Sequence, residues 1–483
     1  MPSRMSRRSL VSGASALGAG VALGAPLIAR AQATPQASPT TGASPAEEEV
    51  IQRIQEMGGS LRILSAVVGG KTPEEDQLFA EEITRLTGVE VELVHPTADY
   101  DEKLLADLAA GVEYDLIYMN KNRMDVLVDQ GVLTDLTEQI QASQLLQDPN
   151  VIPTAEWDLI RYEGDRFYSV FNKFEGARML TTRQDWLDAL GLEAPRTLQE
   201  VYDVMVAFRD ENPGGTDTPP LGLSTAGTYD IQPFMSSEGI YPGYVEVDGK
   251  RTIPYATEAA IPVYEWLANL YAEGLYDPNF ATATTADMRN LFFDDQVGFV
   301  TYWDTWVGLF NNQGRLSNPD FTAVGIAATE GPEGIIITRG QPSVWTIPVN
   351  APNPELAFTF LEWWNTIPGI RLGSLGIEGH DYTVTDGTYE LTEIGTEHSM
   401  DHGNPTPYSS YWENPIGTLP GLEEAQAISV EYGYLEQLGP DWEPTIKPIL
   451  DETIIQIILG DVSAADGVAS MHEQLLSQGL IDE

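Results

Sequence analysis

The sequence contains no cysteine, which excludes disulfides, thiolate-bound zinc and a thiol nucleophile. The same absence excludes a lipobox cysteine, so a lipid anchor of that kind is not expected. Histidine is scarce, and the five histidines are spread widely without the spacing of a metal-ligand set. The motifs GxSxG, HExxH and Walker A do not occur, and GxGxxG does not occur outside the N-terminal segment. No local motif therefore indicates an enzyme class.

Basic residues are also few: 25 Lys and Arg stand against 73 Asp and Glu, for a formal net charge of −48. A field of that sign repels nucleic acid phosphates and anionic membranes, so neither is expected as a partner. The more general interpretation of such a charge is a well-solvated surface. The length of 483 residues is enough for two or more domain-sized cores.

Residues 1–33 have the layout of a secretory signal, with a basic start, an apolar Gly/Ala-rich run and A-x-A sites ending at Ala31 and Ala33. The pair Arg7-Arg8 resembles a twin-arginine signal. We therefore expect export to the periplasm, the extracellular space or the cell surface. Cleavage is favoured, and an uncleaved anchor is the alternative. Residues 34–57 are predicted to be a disordered Pro/Ser/Thr spacer, with the fold beginning near Gly58.

Strand and helix signals alternate from Leu61 onward. Leu61–Val68, Val89–Val94 and Tyr114–Met119 are apolar runs typical of buried strands, and a capping box at Thr72–Glu75 begins a helix. This β-α-β-α-β order predicts a parallel, doubly wound sheet, in which ligands bind beyond the carboxyl ends of the strands. The residues just past these ends are Gly69, Gly70, Lys71, His95, Asn120 and Lys121.

Five stretches carry a resemblance to a known family. They are YDEKLLADLAAGVEYDLIY at 100–118, QGVLTDL at 130–136, TTRQDWLDALGLEAPRTLQE at 182–200, LYAEGLYDP at 270–278 and GIEGHDYTVTDGTYEL at 376–391. Together and in this order they resemble the family-1 extracellular solute-binding proteins, the receptors of ABC sugar importers. The last three resemble the oligosaccharide-binding branch that includes alginate-binding proteins.

The resemblance implies an α/β, two-lobed periplasmic-binding-protein fold (type II-like), with doubly wound sheets joined by a multi-strand hinge. Lobe 1 is expected to combine 58–170 with 300–345, and lobe 2 to combine 171–299 with 346–483. The implied partners are an oligosaccharide or other polar solute and the membrane permease subunits of an ABC importer. The protein is expected to be a monomer without a cofactor, and its lobes to close on the ligand by a hinge motion.

Sugar recognition needs aromatic faces for the ring and polar side chains for the hydroxyl groups, in a concave site. On the family layout, Phe171, Trp303 and Trp345 lie near the lobe crossings. The candidate ligand-binding residues are Asn120, Phe171, Asn172, Tyr229, Trp303, Asp304, Trp345, Glu378, His380 and Tyr382. Core packing of the aromatic rings and turn capping by the asparagines are the alternatives.

The stretch Leu375–Leu391 contains two carboxylates, an imidazole and a phenol within five residues. They belong to Glu378, His380, Asp381 and Tyr382. We expect a loop of lobe 2 that reaches the cleft and offers a ring and hydrogen-bonding groups to the ligand. The alternative is a loop held together by its own Asp and Tyr hydrogen bonds.

The loop 210–220 stands where related proteins often bind calcium. It keeps Asp210, Asn212 and Asp217, which carry oxygen ligands of the kind that calcium prefers. A turn without metal is the favoured interpretation.

The sequence therefore predicts a secreted, non-enzymatic receptor that delivers an oligosaccharide to an ABC importer. One alternative is a secreted polysaccharide-degrading enzyme, since any two of the many carboxylates could meet in space. The other is a receptor for a peptide or another polar solute.

Overall fold

The computed structural model describes residues 44–66, 72–96, 100–236, 238–327, 329–331, 334–402, 407–436, 438–439 and 441–482. The segment 1–33, most of the following spacer, and Gly69, Gly70 and Lys71 lie outside the described residues.

The α-helices, in chain order, are α1 (Pro45–Met57), α2 (Pro73–Thr87), α3 (Tyr100–Ala109), α4 (Lys121–Asp129), α5 (Thr137–Ala142), α6 (Thr154–Ile160), α7 (Gln184–Leu190), α8 (Leu198–Glu211), α9 (Gln232–Ser236), α10 (Ile261–Ala272), α11 (Thr285–Phe293), α12 (Thr305–Ser317), α13 (Pro354–Trp364), α14 (Ile367–Leu375), α15 (Glu393–His402), α16 (Leu422–Tyr432), α17 (Lys447–Leu459) and α18 (Ala464–Ser477). Short 3₁₀ turns lie at Thr228–Ile231, Pro254–Ala256 and Glu258–Ala260, and a π turn at Trp442–Ile446. Within the described ranges, no helix has the length and apolar character needed to cross a bilayer.

The strands are β1 (Ser60–Leu64), β2 (Glu90–Val94), β3 (Leu116–Asn120), β4 (Ser169–Phe171), β5 (Arg178–Arg183), β6 (Leu221–Ser224), β7 (Val245–Val247), β8 (Lys250–Thr252), β9 (Val297–Trp303), β10 (Ala323–Ile326), β11 (Ile337–Arg339), β12 (Ser343–Thr346), β13 (Tyr382–Thr385), β14 (Thr388–Leu391) and β15 (Gly433–Leu435). They form two main sheets and three two-stranded ribbons, β11-β15, β13-β14 and β7-β8.

Lobe 1 is built on a five-stranded sheet in the order β2-β1-β3-β12-β4. Strands β1, β2 and β3 are parallel, as the alternating strand and helix signals predict. The predicted capping box is confirmed: the Thr72 side chain accepts from Glu75 N, and Glu75 in turn accepts from Thr72 N. Strand β12 arrives from much later in the chain and pairs antiparallel with both β3 and β4.

The predicted spacer is wrong from Pro45 onward, because these residues form helix α1. Ser44 caps the helix in a complete capping box with Glu47, and Pro45 occupies the first turn, where a missing N–H costs nothing. Val50 and Ile54 are buried against the lobe 1 core. The fold therefore includes the fourteen residues 44–57 that precede Gly58.

Lobe 2 is built on a four-stranded sheet in the order β10-β5-β9-β6. Strand β9 runs parallel to β6 and antiparallel to β5. The core of this lobe combines buried residues between Leu180 and Phe299 with the C-terminal helices α17 and α18. The buried faces of these two helices include Ile454 and Met471.

The predicted lobe boundaries need correction in both lobes. The segment 300–326 belongs to lobe 2, because β9 and β10 both lie in its sheet. Helices α13 and α14 belong to lobe 1, because residues from Leu356 to Leu372 pack in its core. Both errors have one physical cause: tertiary packing chooses which distant strands pair and against which core a helix packs, and this choice leaves no local sequence pattern.

Three segments connect the lobes. The first, 172–177, runs from β4 to β5, and the second, 340–342, runs from β11 to β12. The third, 407–421, begins with Tyr408 against the ring of Phe171 and ends where Pro420 O accepts from Asn311 Nδ2. We call these the crossing segments. Three crossings agree with the two-lobed fold that the family resemblance implies.

Replacing Ile54 with alanine should lower the free energy of unfolding by about 2–4 kcal/mol, because its side chain is fully buried. Half-buried Ile51 on the same helix is the matched control, and Ile51→Ala should cost clearly less. Urea denaturation of both variants checks this. Equal, small losses would show that α1 contributes little to the fold.

Candidate ligand-binding site

Arg178, the first residue of β5, is the centre of a buried polar and aromatic cluster. Its guanidinium carbon lies 4.9 Å from the ring centroids of Tyr229 and Tyr302 and 4.3 Å from that of Trp303. Its Nη2 lies 3.0 Å from Oδ1 of Asp230, which is fully buried. A guanidinium between aromatic faces and one carboxylate has lost most of its water, so these contacts hold it in place.

Glu436 lies on the other side of Tyr229. The Tyr229 hydroxyl is 3.5 Å from Glu436 Oε1, to which it donates. Among the described residues, Glu436 Oε2 and the Nε and Nη1 of Arg178 are buried without a hydrogen-bond partner. Such atoms cost about 1–3 kcal/mol each unless water or a ligand satisfies them. Polar binding capacity thus remains at this position.

The two carboxyl groups of the cluster are both affected by burial. Burial raises the pKa of Asp230, and the Arg178 guanidinium opposes that shift. Burial also raises the pKa of Glu436 to about 8, against weaker opposing contributions from Tyr229 and Arg178. The pKa of the Tyr229 hydroxyl is raised as well, chiefly by burial. The cluster therefore contains one ion pair and a second acid that favours its neutral form.

A second polar and aromatic group lies on the lobe 1 side of the crossing segments. Trp345 Nε1 donates to Asn172 Oδ1 at 2.9 Å, and the Trp345 ring lies edge-on to Tyr118 at 5.6 Å. Ser343 Oγ donates to the Glu175 carboxylate. Burial raises the pKa of Tyr118, so this hydroxyl remains a hydrogen-bond donor at neutral pH.

The crossing segments join the two groups into one surface. Gly340 N donates to Gly176 O at 3.1 Å, which ties the first two segments together. A Cβ on Gly340 would lie 2.8 Å from the Trp303 ring, so this close approach requires glycine. Gln341 Nε2 donates to Glu436 O at 2.5 Å. We call this surface the candidate site; it consists of Tyr118, Asn172, Arg178, Tyr229, Trp303, Gln341, Trp345 and Glu436.

The lobes also touch directly beside these segments. Asn122, in the first turn of α4 in lobe 1, donates through Nδ2 to Gly439 O of lobe 2 at 3.0 Å. The lobes can therefore exchange such contacts during a hinge motion.

Four of the residues proposed from the sequence come together here: Asn172, Tyr229, Trp303 and Trp345. Tyr229 and Trp303 are half-buried, with ring centroids 6.4 Å apart. Trp345 is largely buried and fixes Asn172.

Three other proposed residues make contacts within the protein. Phe171 is buried against Trp157 and Tyr408. Asp304 is fully buried and accepts from Thr305 N and from Ser429 Oγ. Asn120 is exposed, but its side chain caps helix α4 by accepting from Arg123 N at 2.8 Å. For Asn120, the alternative of turn capping fits the geometry.

Glu378, His380 and Tyr382 lie on lobe 1, which corrects their expected place on lobe 2. Tyr382 is buried and stacks on Tyr389 of the same hairpin, with ring centroids 5.6 Å apart. Glu378 is exposed, and His380 Nδ1 lies 3.3 Å from Asp381 Oδ2.

Asp381 is the structural centre of that loop. Its carboxylate accepts from Ile377 N at 2.7 Å and contacts His398 Nδ1 at 2.7 Å. The other ring nitrogen of His398 lies 3.1 Å from Glu75 of α2. The loop is therefore held together by its own polar groups and anchored to lobe 1.

Two of the three oxygen-bearing side chains of the loop 210–220 accept hydrogen bonds from protein groups. Asn212 Oδ1 accepts from Thr216 Oγ1 at 3.1 Å, and Asp210 Oδ1 accepts from Arg209 Nε at 2.8 Å. Over the described part of the chain, no group of three or more His, Asp or Glu side chains has the geometry of a metal site.

The sequence argument missed Arg178, Gln341, Glu436 and Tyr118. A lone arginine that begins an extended segment in so acidic a chain was a usable signal for Arg178. Glu436 carried no signal, because it is one of 73 acidic residues and its burial depends on the tertiary fold.

Comparison with known proteins gives one family. The family model "Bacterial extracellular solute-binding protein" matches residues 69–367. The chain is 22% identical over 361 residues to lipoprotein LipO of Bacillus subtilis (strain 168), covering 69% of this chain and 70% of the relative. It is 23% identical over 393 residues to the polygalacturonan/rhamnogalacturonan-binding protein YtcQ of the same organism, covering 77% and 74%.

A crystal structure of the alginate-binding protein AlgQ2 without calcium ion superposes with a TM-score of 0.64 at 19% sequence identity, covering 87% of this chain and 95% of that one. The protein therefore belongs to the family of bacterial extracellular solute-binding proteins, and its fold is the two-lobed fold of that family.

Replacing Arg178 with methionine should destabilise the protein by at least about 3 kcal/mol, because Asp230 is left buried without its cation. The double variant Arg178→Met/Asp230→Asn should recover part of this loss, since no unpaired charge remains. Urea denaturation of the wild type, both single variants and the double variant measures the coupling. Additive losses would contradict a functional ion pair.

Proposed function

We propose that this protein is the ligand-binding component of an ABC importer and that it binds a carbohydrate in the candidate site. One observation carries the proposal. Two half-buried rings, Tyr229 and Trp303, flank a buried guanidinium whose Nε and Nη1 have no partner among the described residues.

This combination matches the chemistry of a sugar. The C–H face of a pyranose or furanose ring is apolar and stacks on an aromatic ring. Its hydroxyl groups need donors and acceptors at fixed positions. Buried Arg178 in β5 and half-buried Asn172 and Gln341 in the crossing segments offer them. A site built from segments that join two lobes also suits binding coupled to lobe closure.

The names of similar proteins support the same class of ligand. YtcQ is named for binding polygalacturonan and rhamnogalacturonan, and AlgQ2 for binding alginate. We propose a carbohydrate of more than one ring for this chain too, because a second aromatic pair, Tyr241 and Tyr434, lies in lobe 2 with ring centroids 4.4 Å apart.

For cellular placement, we propose that residues 1–33 act as a twin-arginine signal and that the exported monomer delivers its ligand to the permease subunits. Replacing both Arg7 and Arg8 with lysine should retain the protein in the cytoplasm, because that export route reads the arginine pair. Cell fractionation and immunoblotting measure this. Unchanged export would rule out the twin-arginine route.

The proposal is tested by measuring melting temperature against a glycan panel that includes trigalacturonate, alginate trisaccharide, fructo-nystose and maltotriose. Binding to the native state alone raises the melting temperature with ligand concentration. Mass spectrometry of the recovered glycan separates the alternatives: a receptor returns it intact, and an enzyme returns products. A peptide that co-purifies with the native protein, with no glycan shift, would instead indicate a peptide receptor.

Trp303→Ala and Tyr229→Ala should each weaken glycan binding at least tenfold, about 1.4 kcal/mol, because each removes a stacking ring. Tyr389→Ala is the matched control, since that ring stacks on Tyr382 outside the candidate site. Isothermal titration calorimetry measures all three. Equal affinity in the two site variants and the wild type would remove this cluster from the binding site.

A further inference from the structure

Glu436 is the acid of the candidate site that lacks a counter-charge. Its side chain is nine-tenths buried, and no Lys, Arg or His of the described residues forms an ion pair with it. Its Oε2 has no hydrogen-bond partner among those residues, and its Oε1 has only the long contact with Tyr229. An ionised carboxylate in that environment would lose its hydration without compensation.

Two acids share a single cation in this cluster. Asp230 has the better position, because it lies 3.0 Å from Arg178 Nη2 and also accepts from Ala226 N at 2.8 Å. Glu436 has neither contact. The proton that one of two neighbouring acids must hold is therefore best placed on Glu436.

We propose that ligand binding in the candidate site is proton-linked: Glu436 carries a proton in the binding-competent protein, and its ionisation makes Arg178 unavailable to the ligand. The inference rests on the proposed function and adds a regulation of the same site. Glu436 acts through Arg178 and Tyr229, so it is a positioning residue.

The link follows from the strength of charge-assisted hydrogen bonds. While Glu436 is neutral, Arg178 pairs with Asp230 alone, and its Nε and Nη1 remain unpartnered. An ionised Glu436 would attract the Arg178 guanidinium, which affects its pKa but lies beyond ion-pair distance of it. A movement of either side chain would then pair the two in bonds about twice as strong as those to a neutral hydroxyl. The ionised Glu436 would also accept strongly from Tyr229. A ligand would then have to break these bonds in order to bind.

The other titratable groups around Glu436 do not obscure this transition. Arg178, Tyr229, Asp230, Tyr255, Tyr434 and Glu443 face it from the packed elements. Burial raises the pKa of Tyr229, Tyr255 and Tyr434, so these hydroxyls keep their protons at mildly alkaline pH. Glu443 is exposed. Burial raises the pKa of Glu436 to about 8, which places its ionisation within reach of a titration on the folded protein.

The first test needs no ligand. Infrared difference spectra between mildly acidic and mildly alkaline pH should show loss of one carboxylic acid carbonyl signal near pH 8 that is absent in Glu436→Gln. Trp303 fluorescence, taken as the difference between wild type and Trp303→Phe, should titrate with the same midpoint. The hydrogen bond from the Tyr229 hydroxyl lowers the pKa of Glu436. Removing this hydroxyl in Tyr229→Phe should therefore move the midpoint to higher pH.

Glu362→Gln is the matched control, because Glu362 is likewise buried with a raised pKa but pairs with Arg53 in lobe 1. It should retain both titrations. A wild-type protein without the carbonyl signal, or a Glu436→Gln protein that keeps either titration, would overturn the proposal. Both measurements decide whether Glu436 carries the proton even if no glycan binds and the proposed function fails.

The second test uses the panel glycan with the largest melting shift. If the protonated form alone binds, the association constant should fall about tenfold between pH 7 and pH 9 in the wild type. The ratio of the two constants should be close to one in Glu436→Gln. A pH-independent affinity in a wild type whose Glu436 does titrate would refute the link between protonation and binding.

Discussion

The structure depends on the return of strand β12 to the first sheet. This strand lies between β3 and β4 and pairs antiparallel with both, although more than 170 residues separate it from β4. Its pairing fixes where the chain crosses between the lobes. Asn172 N donates to Ser343 O at 3.0 Å, and Gly340 N donates to Gly176 O at 3.1 Å. Because backbone hydrogen bonds hold these two segments side by side, the side chains on both are presented in a defined geometry at the point where the lobes meet.

Electrostatics at this position differs from that of the chain as a whole. The protein carries a formal net charge of −48, and its exposed acids are solvated. At the crossing, by contrast, Arg178 is buried between three aromatic rings and bound to Asp230. Removing a charge from water raises its free energy, and one cation compensates this for one ionised acid but not for two. The neutral form proposed for Glu436 follows from that imbalance, so the proposed ligand binding and the proposed proton linkage have the same physical origin.

The loop around Asp381 shows how acidic and imidazole side chains can hold neighbouring elements together. Three of the five histidines contact carboxylates here. His95 contacts Asp76 of α2, and His380 contacts Asp381 of the loop. His398 contacts both Asp381 and Glu75 of α2. A Cβ on Gly395 would overlap the backbone of Asp381, so the close packing of α15 on the loop requires glycine. These contacts anchor the β13-β14 hairpin to lobe 1. Asp381 and His398 thus connect the loop, helix α15 and helix α2 by hydrogen bonds.

The sequence by itself determined the local elements and the fold class. Capping boxes, apolar runs and ordered family-like stretches predicted the parallel part of lobe 1, helix α2 and the two-lobed architecture, because those signals act over a few residues. The same signal was present at Ser44–Glu47, where a Pro/Ser-rich composition concealed the start of α1. The tertiary structure alone decided which strand returns to which sheet, which acids become buried and which of them keeps a cation. Four of ten proposed site residues lie together because two strands, a 3₁₀ turn and a crossing segment meet where the lobes join. Arg178 and Glu436 became recognisable only through burial and pairing, which depend on residues from 52 to 207 positions away and leave no trace in local sequence.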